Sequence, residues 1–177
     1  MRVIFRRTGE RRYAVVIEVP GQATQTMSPA PGFDPHIPHD LVHYVVEAEL
    51  GLEGGVFGRA ARGGGTFYAA ETVTNAREQA RLRRKRARRE QALSRVGTHR
   101  EELDASERLA YLCDVAWRRR QGQRPDPAFW SAASPISAMD VERVERVVAR
   151  LGPLASRWNQ LAVGGELALT WPGLSAT

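Results

Sequence analysis

The sequence predicts a single α+β domain over residues 1–177, in which a small antiparallel sheet, formed by an N-terminal hairpin and a C-terminal strand, is packed with four to five helices. Two observations predict the sheet. Apolar side chains alternate in residues 2–7 and 11–19, which a short glycine-containing segment connects, and they alternate again in residues 166–171. A third observation, apolar residues at helical spacing between these segments, predicts the helices.

The hairpin is expected to lead through a loop, residues 21–37, into a first helix. Pro38 suits the first turn of that helix, because backbone N–H groups there have no acceptor within the helix and proline has no N–H. Gly51 is a natural stop. Beyond it, residues 56–61 are expected to form one short helical turn, and residues 66–70 either a brief strand or a packed loop.

The next two predicted helices differ in how much surface they can bury. Residues 71–96 have a strongly helical composition but a thin apolar stripe, so this basic helix is expected to project from the domain and to close at Gly97. Residues 104–107, Asp-Ala-Ser-Glu, resemble a capping box at the start of a helix that ends near Gly122. Cys113 lies on its apolar face, which favours a buried structural thiol over a nucleophile.

From residue 122 onwards, the sequence predicts one more loop and one interrupted helix. Residues 122–136 contain several prolines and are expected to form the loop. Ser137 can cap the helix that follows. Gly152 and Pro153 are expected to break this helix and to restart it as a short one, since proline lacks the N–H that a helix interior uses.

Composition limits the class of protein. The chain is long enough to bury one substantial core. No apolar stretch approaches the roughly 18–20 residues of a membrane span, and the N-terminus lacks the apolar region of a signal peptide, so we expect a cytoplasmic protein that does not contact membranes. The single cysteine excludes an internal disulfide and a cysteine-rich zinc module.

Residues 33–47 concentrate the groups that bind metals or move protons, including three of the four histidines. On a helix, His39 and His43 lie one turn apart on one face, the spacing that offers two imidazoles to one zinc or iron ion. Asp40 or His36 would complete the ligand set. Glu47 is then expected to orient His43 or to act as a base on metal-activated water. The alternative is a purely structural hydrogen-bonded cluster.

The same segment carries two resemblances. The run HDLVH at residues 39–43, followed by Glu47, LGL at 50–52 and GVFG at 55–58, resembles a stretch of small uncharacterised bacterial proteins, which implies no particular activity. Its His-Asp-x-x-His core is also similar to the zinc motif of the ubiquinone-biosynthesis scaffold family, which implies metal binding. That family has a glutamate where this chain has Gly55, and its all-helical fold does not suit the predicted hairpin.

The net charge of +6 is concentrated in one segment, because residues 77–95 carry nine basic and two acidic side chains. Such a basic helix is expected to neutralise phosphates of a nucleic acid, or to meet an acidic protein surface, and it lacks the apolar face that would bind a membrane. A solvated helix is the alternative. The candidate nucleic-acid contacts are Arg77, Arg81, Arg83, Arg84, Lys85, Arg86, Arg88 and Arg89.

The sequence therefore supports two function hypotheses. One is a small cytoplasmic protein with a divalent metal, zinc or iron, bound at the start of the first helix, with hydrolase-like or lyase-like chemistry if it is an enzyme. The other is a nucleic-acid-binding or protein-interaction module that acts through the arginine-rich helix, with structural histidines. The sequence leaves open whether the protein is an enzyme.

Overall fold

The computed structural model describes residues 1–31, 33–62, 67–69, 97–123 and 138–172. These ranges contain a five-stranded antiparallel sheet and four helices that share one hydrophobic core with it. The predicted α+β class, with an N-terminal hairpin and a C-terminal strand in one sheet, is confirmed. None of the described helices is both long enough and apolar enough to cross a membrane.

The centre of the sheet is the predicted hairpin. Strands β1 (Arg2–Gly9) and β2 (Arg12–Glu18) pair antiparallel, and a register shift near the turn accommodates Gly9. Strand β5 (Glu166–Thr170) pairs antiparallel with the other edge of β1. The alternating residues identified in the sequence, such as Phe5 in β1 and Leu167 in β5, are buried in the core.

Two short strands extend the sheet beyond the hairpin. Strand β3 (Gln25–Met27) pairs antiparallel with β2, and β4 (Tyr68–Ala69) pairs antiparallel with β3, which gives the order β4-β3-β2-β1-β5. The prediction of an uninterrupted loop over residues 21–37 is therefore wrong for β3. Three residues, Gln-Thr-Met, are too few to show an alternating pattern, and their pairing depends on the neighbouring strand.

Helix α1 (His39–Leu50) lies at the centre of the helical layer. Pro38 is its N-cap, one residue before the first turn in which the sequence placed it. The helix ends at Gly51, as predicted, and this glycine adopts a left-handed φ of 65°. The helix contacts α2 (Val56–Ala61), the predicted short helix, together with the two long helices described below. Because α1 has neighbours on several sides, every residue from Asp40 to Glu47 is buried, including the polar ones.

Helix α3 (Gly97–Arg120) corrects two predictions. The chain is already helical at Gly97, and residues 104–107 lie inside the helix instead of capping it. Ser106 is fully buried and lies one turn before Leu109 on the same inward face of the helix as Leu109 and Cys113. The residue that was expected at the helix cap therefore belongs to the core. The predicted end of the helix near Gly122 is confirmed.

Cys113 is buried, as predicted. Burial, together with the charge of Asp114, raises the pKa of its thiol to about 12. The thiolate form that a nucleophile needs is therefore scarce at neutral pH.

Helix α4 (Ala138–Asn159) runs without interruption through Gly152 and Pro153, so the predicted break is wrong. Leu151 and Ala155 are buried on either side of Pro153, and Trp158 is fully buried one turn further. Burying a large apolar side chain stabilises a fold by about 1.5–3 kcal/mol. Burial of several such residues outweighs the roughly 3 kcal/mol that a proline costs in a helix interior.

Three predictions fall outside the described residues. They are the basic helix over residues 71–96, most of the loop over residues 122–136, and the cap at Ser137.

Candidate metal centre

His39 and His43 lie one turn apart on α1 and face each other. Their Nε2 atoms are 3.1 Å apart, and their rings meet edge to face with centroids 4.6 Å apart. His43 is buried and His39 is half-buried, so the pair reaches from the core towards the protein surface. The helical spacing that the sequence showed thus brings two imidazole nitrogens to one point.

Glu107 of α3 completes a group of three potential ligands. One of its carboxylate oxygens lies 3.5 Å from Nε2 of His43, and the ligand atoms of His39, His43 and Glu107 all lie within 4.8 Å of one another. The side chain of Glu107 is 60% exposed, whereas that of His43 is 4% exposed. The group is therefore anchored in the core on one side and open to solvent on the other.

Among the described residues, the third member of this group is Glu107 and not Asp40 or His36 as the sequence predicted. A carboxylate oxygen of Asp40 lies 2.6 Å from the Tyr13 hydroxyl of β2, and burial raises the pKa of Asp40. His36 is exposed in the preceding loop, where its carbonyl accepts a hydrogen bond from Asn159. Asp40 is therefore held by Tyr13, and His36 lies outside the group of three ligands.

Burial makes His43 a neutral imidazole. Its removal from water, reinforced by the nearby charge of His39, lowers the pKa of His43 to about 3. The neutral ring is the form of histidine that donates a lone pair to a metal ion.

Glu47 lies one turn beyond His43 and is fully buried. Its Oε1 accepts hydrogen bonds from the backbone N–H of Val56, at 2.8 Å, and from the Ser106 hydroxyl, at 2.8 Å. Its Oε2 accepts from the backbone N–H of Phe57, at 2.7 Å, and of Gly58, at 3.3 Å. Because both oxygens are saturated with donors and closed off from solvent, this position does not suit a base acting on water. It suits the orienting role that the sequence also predicted.

Two opposing effects act on the charge of Glu47. Burial raises the pKa of Glu47 to about 7, and the hydrogen bonds from Ser106 and from the backbone of α2 act in the opposite direction. The three backbone N–H groups can only donate, so they favour the ionised carboxylate, and the Ser106 hydroxyl donates to it as well. Above this pKa, Glu47 is a buried anion that is held by four donors.

Gly55 and Gly58, beside this carboxylate, occupy positions where a larger residue would collide with its neighbours. A Cβ atom at Gly55 would lie 2.2 Å from Cδ of Glu47, and one at Gly58 would lie 2.5 Å from the carbonyl oxygens of Leu52 and Glu53. At Gly55, glycine lets the backbone approach Glu47 closely enough for the N–H groups at the start of α2 to reach it, and at Gly58 it lets α2 pack against the backbone of residues 52–53. The GVFG segment is thus the wall of a carboxylate-binding turn.

Ser106 joins this buried turn to the histidines. Its Oγ lies 3.1 Å from Nδ1 of His43 while it donates to Glu47. Sequence reasoning missed both Ser106 and Glu107, because they lie more than fifty residues from α1 along the chain and their spacing indicated a local helix cap. No pattern within α1 itself indicates which residues of α3 it will meet.

The predicted nucleic-acid contacts, from Arg77 to Arg89, all lie outside the described residues. That hypothesis stays a prediction from the sequence.

Comparison of the chain with models of protein families, with curated proteins and with solved structures gave no match.

Proposed function

We propose that the protein binds one divalent transition-metal ion, zinc or iron, through Nε2 of His39, Nε2 of His43 and a carboxylate oxygen of Glu107. The observation that carries this proposal is the convergence of three ligand atoms from two packed helices within 4.8 Å. The two nitrogens are 3.1 Å apart. At metal–nitrogen bonds of about 2.0–2.1 Å, two nitrogens on one ion are roughly 3.0–3.4 Å apart, so the pair fits a shared ion.

The chemistry of the three ligands also fits. Imidazole nitrogen suits zinc and iron, and two histidines with one carboxylate are a ligand set that leaves coordination positions open in catalytic sites. Glu107 is largely exposed, so its carboxylate is free to adjust towards an ion that the imidazoles hold. Structural zinc sites, by contrast, are closed by four protein ligands.

An open site of this kind supports hydrolase-like or lyase-like chemistry. A bound ion would act as a Lewis acid on water or on a carbonyl oxygen. The residues of this chain would divide the remaining work. Buried His43 would fix the position of the ion, and Glu107 would hold it from the solvent side, where a substrate can approach.

The competing explanation is a structural hydrogen bond between the two rings. A separation of 3.1 Å between Nε2 atoms also suits an N–H donor on one ring and a lone pair on the other. In that case the two rings would only stabilise each other on the surface of α1, and they would have no affinity for metals.

Metal analysis of protein purified without a histidine tag separates the two explanations. We expect about one equivalent of zinc or iron per chain, and removal of one ligand in His39→Ala or Glu107→Gln should weaken zinc binding by at least about 100-fold. The affinity is measured by competition with a chromophoric chelator, and circular dichroism checks the fold. His39→Ala is preferred to His43→Ala because His39 is less buried.

His36→Ala is the matched control. It removes a nearby histidine that lies outside the group, so its zinc affinity should equal that of the wild type. The proposal fails if the zinc affinity of the wild type is no higher than that of His39→Ala. It also fails if His36→Ala loses as much zinc affinity as His39→Ala does.

A further inference from the structure

A continuous row of hydrogen-bonding groups connects the candidate metal site to the buried carboxylate. Nε2 of His39 lies 3.1 Å from Nε2 of His43, and Nδ1 of His43 lies 3.1 Å from Oγ of Ser106. Oγ of Ser106 in turn lies 2.8 Å from Oε1 of Glu47. Ser106 and Glu47 are both fully buried, so bulk solvent does not compete for either partner.

The protons available to these groups determine which group donates and which accepts in each hydrogen bond. Above its pKa of about 7, the carboxylate of Glu47 can only accept, so the single hydroxyl proton of Ser106 is directed to Glu47. The Ser106 oxygen then has only lone pairs to offer to His43. A hydrogen bond between them therefore requires the proton of the neutral His43 ring to be on Nδ1, which leaves a lone pair on Nε2.

The geometry points to Ser106 as a positioning residue that fixes His43 in the Nδ1–H tautomer and so presents the lone pair of Nε2 to the ion, a consequence that rests on the proposed function. Histidine ligands in metal sites commonly donate their second ring N–H to an acceptor, which sets the tautomer and the ring orientation. Here the acceptor is a serine hydroxyl that a buried carboxylate holds in place.

Ser106 also determines where Glu107 lies. Successive residues of an α-helix point about 100° apart, and Ser106 is fully buried while Glu107 is 60% exposed. The two hydrogen bonds of Ser106 reach His43 and Glu47, which are both on α1. These bonds hold α3 against α1 in the orientation that brings the carboxylate of Glu107 to 3.5 Å from Nε2 of His43.

The tautomer can be measured in the metal-free protein. We expect long-range proton–nitrogen correlation spectra of ¹⁵N-labelled wild-type protein, in EDTA at pH 8, to show His43 with a protonated Nδ1 and an unprotonated Nε2. Ser106→Ala should lose this preference, and its zinc affinity should be about 10–100-fold weaker. Ser156→Ala, which removes an exposed serine of α4, is the control and should match the wild type in both measurements.

The two measurements separate this inference from the proposed function. A wild-type His43 protonated on Nε2 overturns the inference even if the protein binds zinc, and so does a Ser106→Ala protein that keeps both the tautomer and the full zinc affinity. An Nδ1–H tautomer that depends on Ser106, in a protein that binds no metal, supports the positioning role and overturns the proposed function. If Ser106→Ala does not fold, the wild-type spectrum still decides the tautomer.

Discussion

The polar network around α1 has two parts that differ in their contact with water. The inner part consists of Glu47, Ser106 and the backbone N–H groups of residues 56–58, and its two side chains are fully buried. The outer part consists of His39 and Glu107, which reach the surface. His43 belongs to both, because Nδ1 faces Ser106 and Nε2 faces the outer groups.

The difference between the two parts indicates what each contributes. Removing the hydrogen-bond partner of a buried polar group lowers the free energy of unfolding by about 1–3 kcal/mol. An exposed group that loses its partner is hydrated instead, at little cost. The inner part should therefore determine stability, and the outer part should be available for binding. Substitutions in each part test this division.

Glu47→Ala should have the largest effect on stability. It leaves three backbone N–H groups and the Ser106 hydroxyl without their acceptor in the core, so we expect the free energy of unfolding to fall by about 3–5 kcal/mol. Urea denaturation of the metal-free protein measures this. Glu18→Ala is the control, because Glu18 pairs with Arg2 at the surface and its loss should change stability by at most about 1 kcal/mol. Equal losses in the two variants would contradict the division.

Gly55→Ala tests the wall of the inner part. The added methyl group would overlap the Glu47 carboxyl group, so we expect a loss of about 1–3 kcal/mol in unfolding free energy. Gly152→Ala adds the same group to α4, where no atom beyond the adjacent residues and the helix's own backbone lies within 4 Å, and should stabilise the protein by about 0.5–1 kcal/mol. Opposite signs in the two melting-temperature shifts are the expected result. A Gly55→Ala protein as stable as the wild type would contradict the close contact with Glu47.

Glu107→Gln should have the smallest effect on the metal-free protein, within about 0.5 kcal/mol, because the side chain is mostly in water. Zinc at 100 times its dissociation constant should stabilise the wild type by about 2.7 kcal/mol, since an ion that binds only the folded state shifts the equilibrium towards it. The variant should gain much less. Thermal melts with and without zinc measure both quantities, and equal stabilisation of the two proteins would remove Glu107 from the site.

The features that the sequence predicted well are those with local signals. Pro38 and Gly51 mark the ends of α1 through backbone restrictions that act within one turn, and the spacing of His39 and His43 follows directly from helix geometry. The hairpin and β5 follow from alternation, which requires only that one face of each strand be buried.

The features that the sequence did not predict depend on contacts between distant segments. Glu107 and Ser106 approach α1 only because α3 packs against it, and a polar residue in the inward face of a helix resembles a cap in the sequence. Pro153 illustrates the same point in energetic terms. Its local preference to end a helix is outweighed by tertiary burial of Leu151 and Trp158, which no local rule includes.

The site depends on the spacing in α3 between Ser106, Glu107 and the apolar face that begins at Leu109. One residue inserted between Glu107 and Leu109 would rotate the first turns of α3 by about 100° relative to the apolar face that begins at Leu109. The hydroxyl would leave its two partners, or the apolar face would turn towards water. Homologous chains that keep this site should therefore tolerate exchanges among aliphatic residues in α3 but no insertions or deletions there.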